Sequence, residues 1–496
     1  MSKDSQPKSK TSEERVSSTG WKASIGLGGA LAIVVGSILG IGIFLSPNIV
    51  AQHVPNAHWF VAVWVIGGLM ALSGALTYGE LGSRYPMAGG DYVFLRAAYG
   101  KPVAFLSGWV ALSATFSGSI AATAVGLAQY YIAPHLPAWF SEPMLTLGII
   151  KISCMTITAI FLIWLFTVIN VVGISFSTFV QSLVSFTPLA ILAIAAIWSL
   201  AGDVTIGQAG GAITSSPQPT GSGLDSISIG HLGLAILPVF FAYSGWNAAA
   251  YIGSEIKNAE RNLPLSLVLG IGIIILLYIL LNALFLKGET IQSLRAVPNV
   301  MESAALKSFG AIGVPIFITL TGVAILGSLN SMTMTGPRIY HTMAHDGMLF
   351  RRVGKLSKKY GTPVNGLVFQ AFWASLFVIM GGFEDILNYT TLMIMLFSGV
   401  TVIGLFVLRR RFPRVKPKFK VPLYPFVPLF YVIMAFSLVI LLAVMDPKQM
   451  VGAIAITGLG LLLYYTIFLR NIKNGKTCLK RAGKLSSEID FHSNKE

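Results

Sequence analysis

The sequence predicts an all-α integral membrane protein with about twelve transmembrane helices. Charged residues make up 11% of the 496 positions, against roughly 25% in an ordinary soluble domain. Apolar and aromatic side chains reach 54%, and the mean hydropathy is +0.74. The few charges are spaced so that apolar runs of about 20 residues, the length that crosses the hydrocarbon core of a bilayer, recur along the chain. A soluble fold has too little interior to bury so much apolar surface.

The intervals between charges place the spans in order. Two spans fit into each of the intervals 22–80 and 151–203, where polar residues near 52–58 and 170–173 divide them. Single spans fit into the other intervals: 101–142, 225–255, 261–287, 307–338, 359–384, 385–409, 420–446 and 448–470. Because these runs are too long for barrel strands and a lipid-facing backbone must satisfy its own hydrogen bonds, we predict helices throughout.

The formal net charge of +16 raises the question of a nucleic-acid partner. If the amino terminus is cytoplasmic, thirty of the thirty-five Lys and Arg residues lie on the cytoplasmic side. This is the positive-inside pattern of membrane proteins. We therefore expect both termini in the cytoplasm, contact of the basic cluster 409–420 with anionic lipid, and no nucleic-acid partner.

Spans 1 and 6 carry helix-breaking residues near mid-membrane. Span 1, GGALAIVVGSILGIGIFLSP, contains Gly36, Gly40 and Gly42, and span 6, LAILPVFFAYSGWNAAAYIGSE, contains Pro238 and Gly245. The two spans begin two sets of five, as expected for a five-plus-five inverted repeat with spans 11 and 12 appended. For span 1 alone, close helix packing through Gly36-x-x-x-Gly40 is an equal explanation, but the matching span 6 favours unwound substrate ligands. The predicted organisation is a disordered cytoplasmic tail (1–22), a ten-helix inverted-repeat core (23–410), spans 11 and 12 (411–471) and a cytoplasmic tail (472–496).

Four segments together resemble the amino acid, polyamine and organocation (APC) permease superfamily, closest to its L-type and bacterial amino acid permease branch. They are GSILGIGIFLSP, TYGELGSRYPMAGGDYVFL, FAYSGWNAAAYIGSEIKNAERNLPLSL, and GSLNSMTMTGPRIYHTMAHDGMLF with KYGTPVNGL. The resemblance covers about residues 24–410. It implies a LeuT-like 5+5 inverted repeat with 12 transmembrane helices, in which spans 1 and 6 are broken at the midplane. It also implies a secondary active transporter, a permease or exchanger that moves neutral L-amino acids across the cytoplasmic membrane, here a bacterial inner membrane, by alternating access.

The resemblance further implies a site for a free amino acid at the two breaks. Backbone N–H groups would bind the α-carboxylate, and they belong to Gly40, Ile41 and Gly42. Backbone carbonyl groups would bind the α-ammonium, and they belong to Ile38, Phe241 and Ser244. The side chain of Phe241 would close over the substrate. Three neighbours in span 6 would lie nearby, although ordinary helix packing explains them equally well: Tyr243, Trp246 and Asn247.

Charged residues are predicted to lie outside the middle of the membrane. No acidic residue falls at the midplane of a span, where a cationic substrate group without a partner would be expensive to hold. Neutral amino acids are therefore favoured, and cationic amino acids or polyamines are the alternative. Four charged residues at the cytoplasmic helix ends would form an inner gate or would only anchor the helix ends. They are Glu80, Arg84, Asp91 and Glu255.

Span 5 departs from the family pattern. Many relatives carry a lysine there, near the place that a sodium ion occupies in other members of the fold. In TFVQSLVSFTPLAIL the corresponding residue is Ser185 or Pro188, depending on the alignment. No cofactor is predicted, and Na+ coupling, H+ coupling and simple exchange all remain open. Hydroxyl groups of Ser328 or Ser331 on span 8 are candidate sodium ligands.

No metal and no covalent partner is predicted. The eukaryotic L-type branch joins a single-span heavy subunit through a cysteine between spans 3 and 4, but segment 131–142 contains none, so no disulfide-linked heavy subunit is expected. The two cysteines, Cys154 and Cys478, are too few for a metal site. His341-x-x-x-His345 lacks the glutamate of a zinc motif. The expected partners are an amino acid and the lipid bilayer.

Two other classes of protein share parts of this pattern. A substrate sensor with the permease fold would signal through its tails, but the tails here are short. A membrane enzyme would need a titratable or metal-binding cluster in a cavity, and the spans supply few such residues. Uptake of labelled substrate separates a transporter from both.

Overall fold

The computed structural model describes residues 21–147, 150–201, 227–287, 289–297, 299–380 and 383–473. Predicted tail residues 1–20 and 474–496, with Cys478, lie outside this range. The helices are α1 (Leu27–Ile38), α2 (Gly42–His53), α3 (Ala57–Arg84), α4 (Asp91–Tyr99), α5 (Lys101–Val110), α6 (Phe116–Leu127), α7 (Cys154–Val172), α8 (Ile174–Ala201), α9 (Ile229–Ala242), α10 (Ala248–Tyr251), α11 (Ala259–Lys287), α12 (Ile291–Leu294), α13 (Val300–His345), α14 (Val364–Met380), α15 (Phe383–Arg411), α16 (Phe426–Met445) and α17 (Pro447–Lys473).

Ten helical stretches in the described part of the chain are long and apolar enough to cross a membrane. Two shorter apolar helices, α9 and α14, occupy the positions of predicted spans 6 and 9. Large apolar side chains such as Phe161, Phe179 and Ile194 are exposed on the outer helices. Apolar surface of this kind suits a hydrocarbon solvent. The prediction of a helical multi-pass membrane protein is therefore confirmed.

Both spans that carry helix-breaking residues are interrupted. In span 1 the helix stops at Ile38 and resumes at Gly42. In span 6 it stops at Ala242, and a short helical turn resumes at Ala248. The halves of span 1 have different neighbours, since α1 packs on α8, α11 and α13 whereas α2 packs on α9. The interruptions thus divide each span into two separately packed pieces.

Span 3 is continuous but irregular. A wider π-helical turn, Ala111–Thr115, lies between α5 and α6, and a second one, Ala128–Ile132, lies between α6 and the end of the span. Such turns shift the facing of the side chains that follow and are frequent at functional sites. The first of them faces the larger cavity described below.

Three local features were not predicted from the sequence. A two-stranded antiparallel hairpin, β1 (Pro143–Leu147) and β2 (Ile150–Ser153), precedes α7, so that Cys154 stands at the start of span 4. Helix α13 turns sharply at Gly310 (φ 67°), which divides an outer helix from the spanning one. Trp21, within the predicted tail, is buried against the ring of His341 and the guanidinium group of Arg338.

Candidate functional site at the two helix breaks

The two interruptions lie against each other. A Cβ atom added to Gly42 would stand 2.4 Å from the Cα atom of Ala242. One added to Gly245, whose φ is +93°, would stand 2.7 Å from the carbonyl oxygen of Ser37. Glycine is required at both positions, because the clash is with backbone and, at Gly245, the backbone conformation is also unfavourable for other residues. The sequence GIG in span 1 and SGW in span 6 therefore allow the breaks to meet.

A small cavity of about 210 Å³ of empty space lies where the breaks meet. Six of the predicted substrate ligands line it: Ile38, Gly40, Ile41, Gly42, Phe241 and Ser244. Thr123, Ser328 and Met332 close its sides. The first turn of α2 begins at this cavity, and the first N–H groups of a helix have no acceptor within the helix. With the positive end of the helix dipole, they make a site suited to an anion such as a carboxylate.

The hydroxyl group of Tyr278 in α11 connects the two breaks. It lies 2.8 Å from the carbonyl oxygen of Ile38 and 2.9 Å from that of Ala242. The N–H of Gly40 also donates to the Ile38 carbonyl, at 2.8 Å. The sequence analysis did not identify Tyr278. The feature that marks it in the sequence is a single hydroxyl-bearing residue within the apolar run IIILLYILL.

A larger cavity of about 680 Å³ of empty space continues from the small one, sharing Ser37, Ser244 and Met332 with it. Polar groups from α4 and from spans 3, 6, 8 and 10 line it: Asp91, Ser107, Thr115, Ser119, Asn247, Tyr251, Thr335 and Ser398. Apolar side chains line the rest: Val110, Phe116, Ile339, Ile394 and Phe397. A lining of this mixed kind is typical of a site for a small organic molecule.

Two of the predicted neighbours in span 6 pack away from the cavities. The ring of Trp246 stands edge-on to Tyr78, at 4.7 Å between centroids, and to Tyr431, at 5.6 Å. Tyr243 packs on Tyr278 at 4.8 Å. Asn247 does line the larger cavity, and its Nδ2 atom donates to the Tyr251 hydroxyl at 3.0 Å.

The charges predicted to form a gate lie at one end of the bundle, called here the basic end, where Arg84, Arg338 and Arg409 lie. Buried Glu80 accepts hydrogen bonds from Arg84 at 2.9 Å and from Arg409 at 2.9 Å. Buried Glu255 accepts from Arg338 at 2.8 and 3.2 Å. Arg409, which pairs with Glu80, and Arg338, which pairs with Glu255, both come from distant spans and not from neighbouring positions in the sequence.

Asp91 has different partners from the other predicted gate residues. Its carboxylate accepts hydrogen bonds from the hydroxyl groups of Tyr78 and, at 2.6 Å, of Tyr251. Among the residues that the structure describes, no Lys, Arg or His side chain forms an ion pair with it. Asp91 therefore takes no part in the ion pair between Glu80 and Arg84.

Buried amide side chains join spans 1, 4, 5 and 8. Gln181 donates to the carbonyl oxygen of Gly327 at 3.1 Å and to Ser185 at 2.8 Å, and it accepts from Asn330 at 2.7 Å. Asn170 donates to Asn330 at 2.8 Å. This network occupies the region in which the family resemblance placed a lysine or a sodium ion.

No metal centre is evident in the described ranges, which contain no group of three or more His, Cys, Asp or Glu side chains placed to hold an ion. His341 and His345 are neighbours, with ring centroids 4.5 Å apart, and the Nδ1 atom of His341 lies 2.6 Å from the carbonyl oxygen of Gly354. The pair is thus part of the packing at the basic end.

Fold and cavities together define a multi-pass membrane transporter for a small polar molecule. Comparison with known proteins makes the class more specific. The chain matches the amino acid permease family over residues 25–466, and it belongs to that family. The resemblance found in the sequence is confirmed, and the chain is an amino acid transporter rather than an enzyme.

Several known amino acid transporters are similar over most of their length. The serine/threonine exchanger SteT of Bacillus subtilis is 30% identical over 452 residues, which cover 90% of this chain and 97% of SteT. The human b(0,+)-type amino acid transporter 1 is 28% identical, covering 96% of this chain and 92% of the relative. The mouse large neutral amino acids transporter small subunit 2 is 30% identical, covering 86% and 78%.

Proposed function

We propose that the protein carries neutral L-amino acids across the membrane by alternating access, as a permease or exchanger. The observation that carries the proposal is the small cavity at which both broken spans meet. The N–H groups of Gly40, Ile41 and Gly42 would hold the α-carboxylate once the Gly40 N–H releases the Ile38 carbonyl, to which it donates here at 2.8 Å. The carbonyl groups of Ile38, Phe241 and Ser244 would hold the α-ammonium, and the phenyl ring of Phe241 would cover the bound molecule.

The position of the larger cavity supports a role in side-chain selection. Since backbone groups serve the two charges common to all amino acids, the substituent would extend into the cavity lined by Thr115, Ser119 and Asn247. Hydroxyl, amide and apolar groups suit a small neutral side chain. Asp91 lines the same cavity and favours the alternative substrates, a cationic amino acid or a polyamine. Competition between lysine and a labelled neutral amino acid tests this alternative.

We propose further that transport proceeds by exchange without a sodium or proton gradient. The carbonyl oxygens that a sodium ion would use at the junction of spans 1, 5 and 8 already accept hydrogen bonds. Gly327 accepts from Gln181 at 3.1 Å, and Ile33 accepts from Ser331 at 2.9 Å. Ser328 lies 3.3 Å from the Ser37 carbonyl. Replacing NaCl by choline chloride, or imposing a pH gradient, should leave the exchange rate unchanged.

The membrane arrangement is also a proposal. With α9 and α14 counted as spans, the chain would have twelve, arranged as a LeuT-like five-plus-five inverted repeat followed by two further helices. The positive-inside pattern would place the basic end and both termini in the cytoplasm. The pairs Glu80–Arg409 and Glu255–Arg338 would then form an inner gate, and no disulfide-linked subunit is required because segment 131–142 contains no cysteine.

The test is uptake of labelled amino acids into proteoliposomes of the purified chain, with and without amino acid inside. We expect uptake of neutral amino acids that requires internal amino acid. Phe241→Ala should reduce uptake at least tenfold, whereas Phe240→Ala, its equally buried neighbour outside both cavities, should lose stability but retain uptake. Saturable binding without uptake under every gradient would identify a sensor and exclude the proposal.

A further inference from the structure

The larger cavity contains a carboxylate that no described cation neutralises. We propose that Asp91 forms a second subsite, which binds the positively charged ammonium group of the substrate on its way between the helix breaks and the basic end. The inference rests on the proposed function, since it assigns a role on the path of an amino acid. Tyr78, Tyr251 and Asn247 complete the subsite.

The backbone turn that precedes Asp91 fixes the position of its side chain. The preceding Gly90 has φ +49°, and a Cβ atom there would stand 2.3 Å from the ring of Tyr251. Only glycine therefore lets the ring of Tyr251 pack on this turn and bring its hydroxyl to the carboxylate. The N–H of Gly89 donates to the Tyr251 carbonyl at 2.9 Å, and the N–H of Ala88 donates to Ser254 Oγ at 2.9 Å. The turn is thus fixed to span 6.

The partners of Asp91 distinguish it from the other acidic residues near the basic end. Glu80 and Glu255 are buried, and each accepts from an arginine. Asp91 accepts only neutral hydroxyl groups among the described residues. Hydroxyl groups of Tyr78, Tyr251 and Thr401 orient this carboxylate but bring it no positive charge. Buried charges in proteins are usually paired with an opposite charge, so an ammonium group of a substrate is a suitable partner for this one.

The cavity connects Asp91 to the amino acid site. Ser244, whose carbonyl is a proposed ammonium ligand, lines both cavities. Asn247 and Tyr251 follow it along span 6 on the wall of the larger cavity, and the Tyr251 hydroxyl reaches Asp91 at 2.6 Å. In this conformation the Ile38 carbonyl is already engaged by Tyr278 and Gly40. Asp91 is therefore the strongest cation acceptor among the described residues that line the cavities.

Two ammonium groups could occupy the subsite, the α-ammonium of any amino acid or the side-chain ammonium of a lysine-like substrate. Competition by lysine and by norleucine distinguishes them, because norleucine lacks only the side-chain ammonium. The assay measures displacement of the labelled amino acid that the wild type transports best, on the full-length purified chain. The variants are Asp91→Asn and, as control, Glu260→Gln, an exposed carboxylate near the same end that pairs with Lys418.

If the α-ammonium binds at Asp91, the Asn variant should raise the inhibition constants of both competitors by roughly tenfold to a hundredfold, the usual range for a hydrogen bond to a charged group. If the side-chain ammonium binds there, only the constant for lysine should rise. Glu260→Gln should change neither. Should Asp91→Asn misfold, Tyr251→Phe provides the same test with a smaller expected rise. Folded variants with unchanged constants for both competitors would overturn the proposal, whereas a wild type that binds no amino acid would instead refute the proposed function.

Discussion

Removal of the carboxylate of Glu255 should open the basic end. Glu255 and Arg338 are 2% and 1% exposed, and two hydrogen bonds of 2.8 and 3.2 Å join them. Loss of one partner of a buried pair leaves the other charge uncompensated, at a cost of about 3–5 kcal/mol. If the pair forms only while the basic end is closed, Glu255→Gln shifts the equilibrium towards the open state by roughly a hundredfold or more.

Thiol labelling measures this shift directly. Cys154 and Cys478 are first replaced by alanine, and a cysteine is placed at Thr335, on the wall of the larger cavity. A hydrophilic maleimide should then label the Glu255→Gln variant at least tenfold faster than its parent. The double variant Glu255→Gln with Arg338→Met should recover most of the lost thermal stability, because neither charge is left unpaired.

Glu260→Gln is the matched control for the labelling experiment. Its exposed pair with Lys418 is worth about 1 kcal/mol at most, so labelling and melting temperature should match those of the parent. Equal labelling of the Glu255 variant and its parent would refute the assignment of this pair to a gate. A double variant no more stable than the single one would refute the coupling of the two charges.

Three further substitutions test the helix breaks and their anchors. Gly42→Val should abolish uptake, because its Cβ atom would overlap the backbone of span 6, whereas Gly458→Val, whose Cβ atom would have no neighbour within 4 Å, should transport normally. Tyr278→Phe removes the hydroxyl group shared by both breaks and leaves their carbonyl groups unsatisfied, at a cost of roughly 1–3 kcal/mol. Substrate affinity should therefore change about tenfold, whereas Tyr99→Phe should leave it unchanged. Arg295→Ala removes the guanidinium that binds the last carbonyls of α2 and should lower stability by about 1–2 kcal/mol, measured by thermal unfolding.

The positions of the spans and breaks were predictable because they depend on local composition. Apolar run lengths determine where a helix can cross lipid, and glycine and proline residues within a run mark where it is interrupted. The family motif then identified Gly40, Ile41 and Gly42 as neighbours of Phe241 and Ser244, and the structure brings these five residues to one cavity. The family motif, placed on the local sequence, therefore located most of the candidate site.

Long-range polar pairing was not predictable in the same way. Lys257 and Arg261 are the basic residues nearest to Glu255 in the sequence, but Arg338 from a different span forms the ion pair with that carboxylate. Similarly, Arg409 joins Glu80 although more than three hundred residues separate them. Such pairs depend on which helix faces pack together, and a single sequence does not reveal that. The side chain of Trp246 turned outward from the cavities for the same reason, since Tyr78 and Tyr431 offer it an aromatic pocket.

The division of the broken spans suggests how binding is coupled to movement. The pieces that lead to the basic end, α1 and α10, are fastened together there, since the N–H of Ser24 donates to the Glu255 carbonyl and that of Lys257 donates to the Ile25 carbonyl. The other two pieces, α2 and α9, are joined separately, as Ser46 Oγ donates to the Pro238 carbonyl at 2.9 Å.

At the end of the bundle opposite the basic end, Asn48 donates to three carbonyl groups around the end of α12, and Arg295 donates back to carbonyl groups at the end of α2. Each pair of half-helices is thus joined at its own end of the protein, and the segments at the breaks connect the two pairs along the chain. On the proposed function, an amino acid bound at the breaks would contact both pairs at once, so its binding energy would favour closing one end when the other opens.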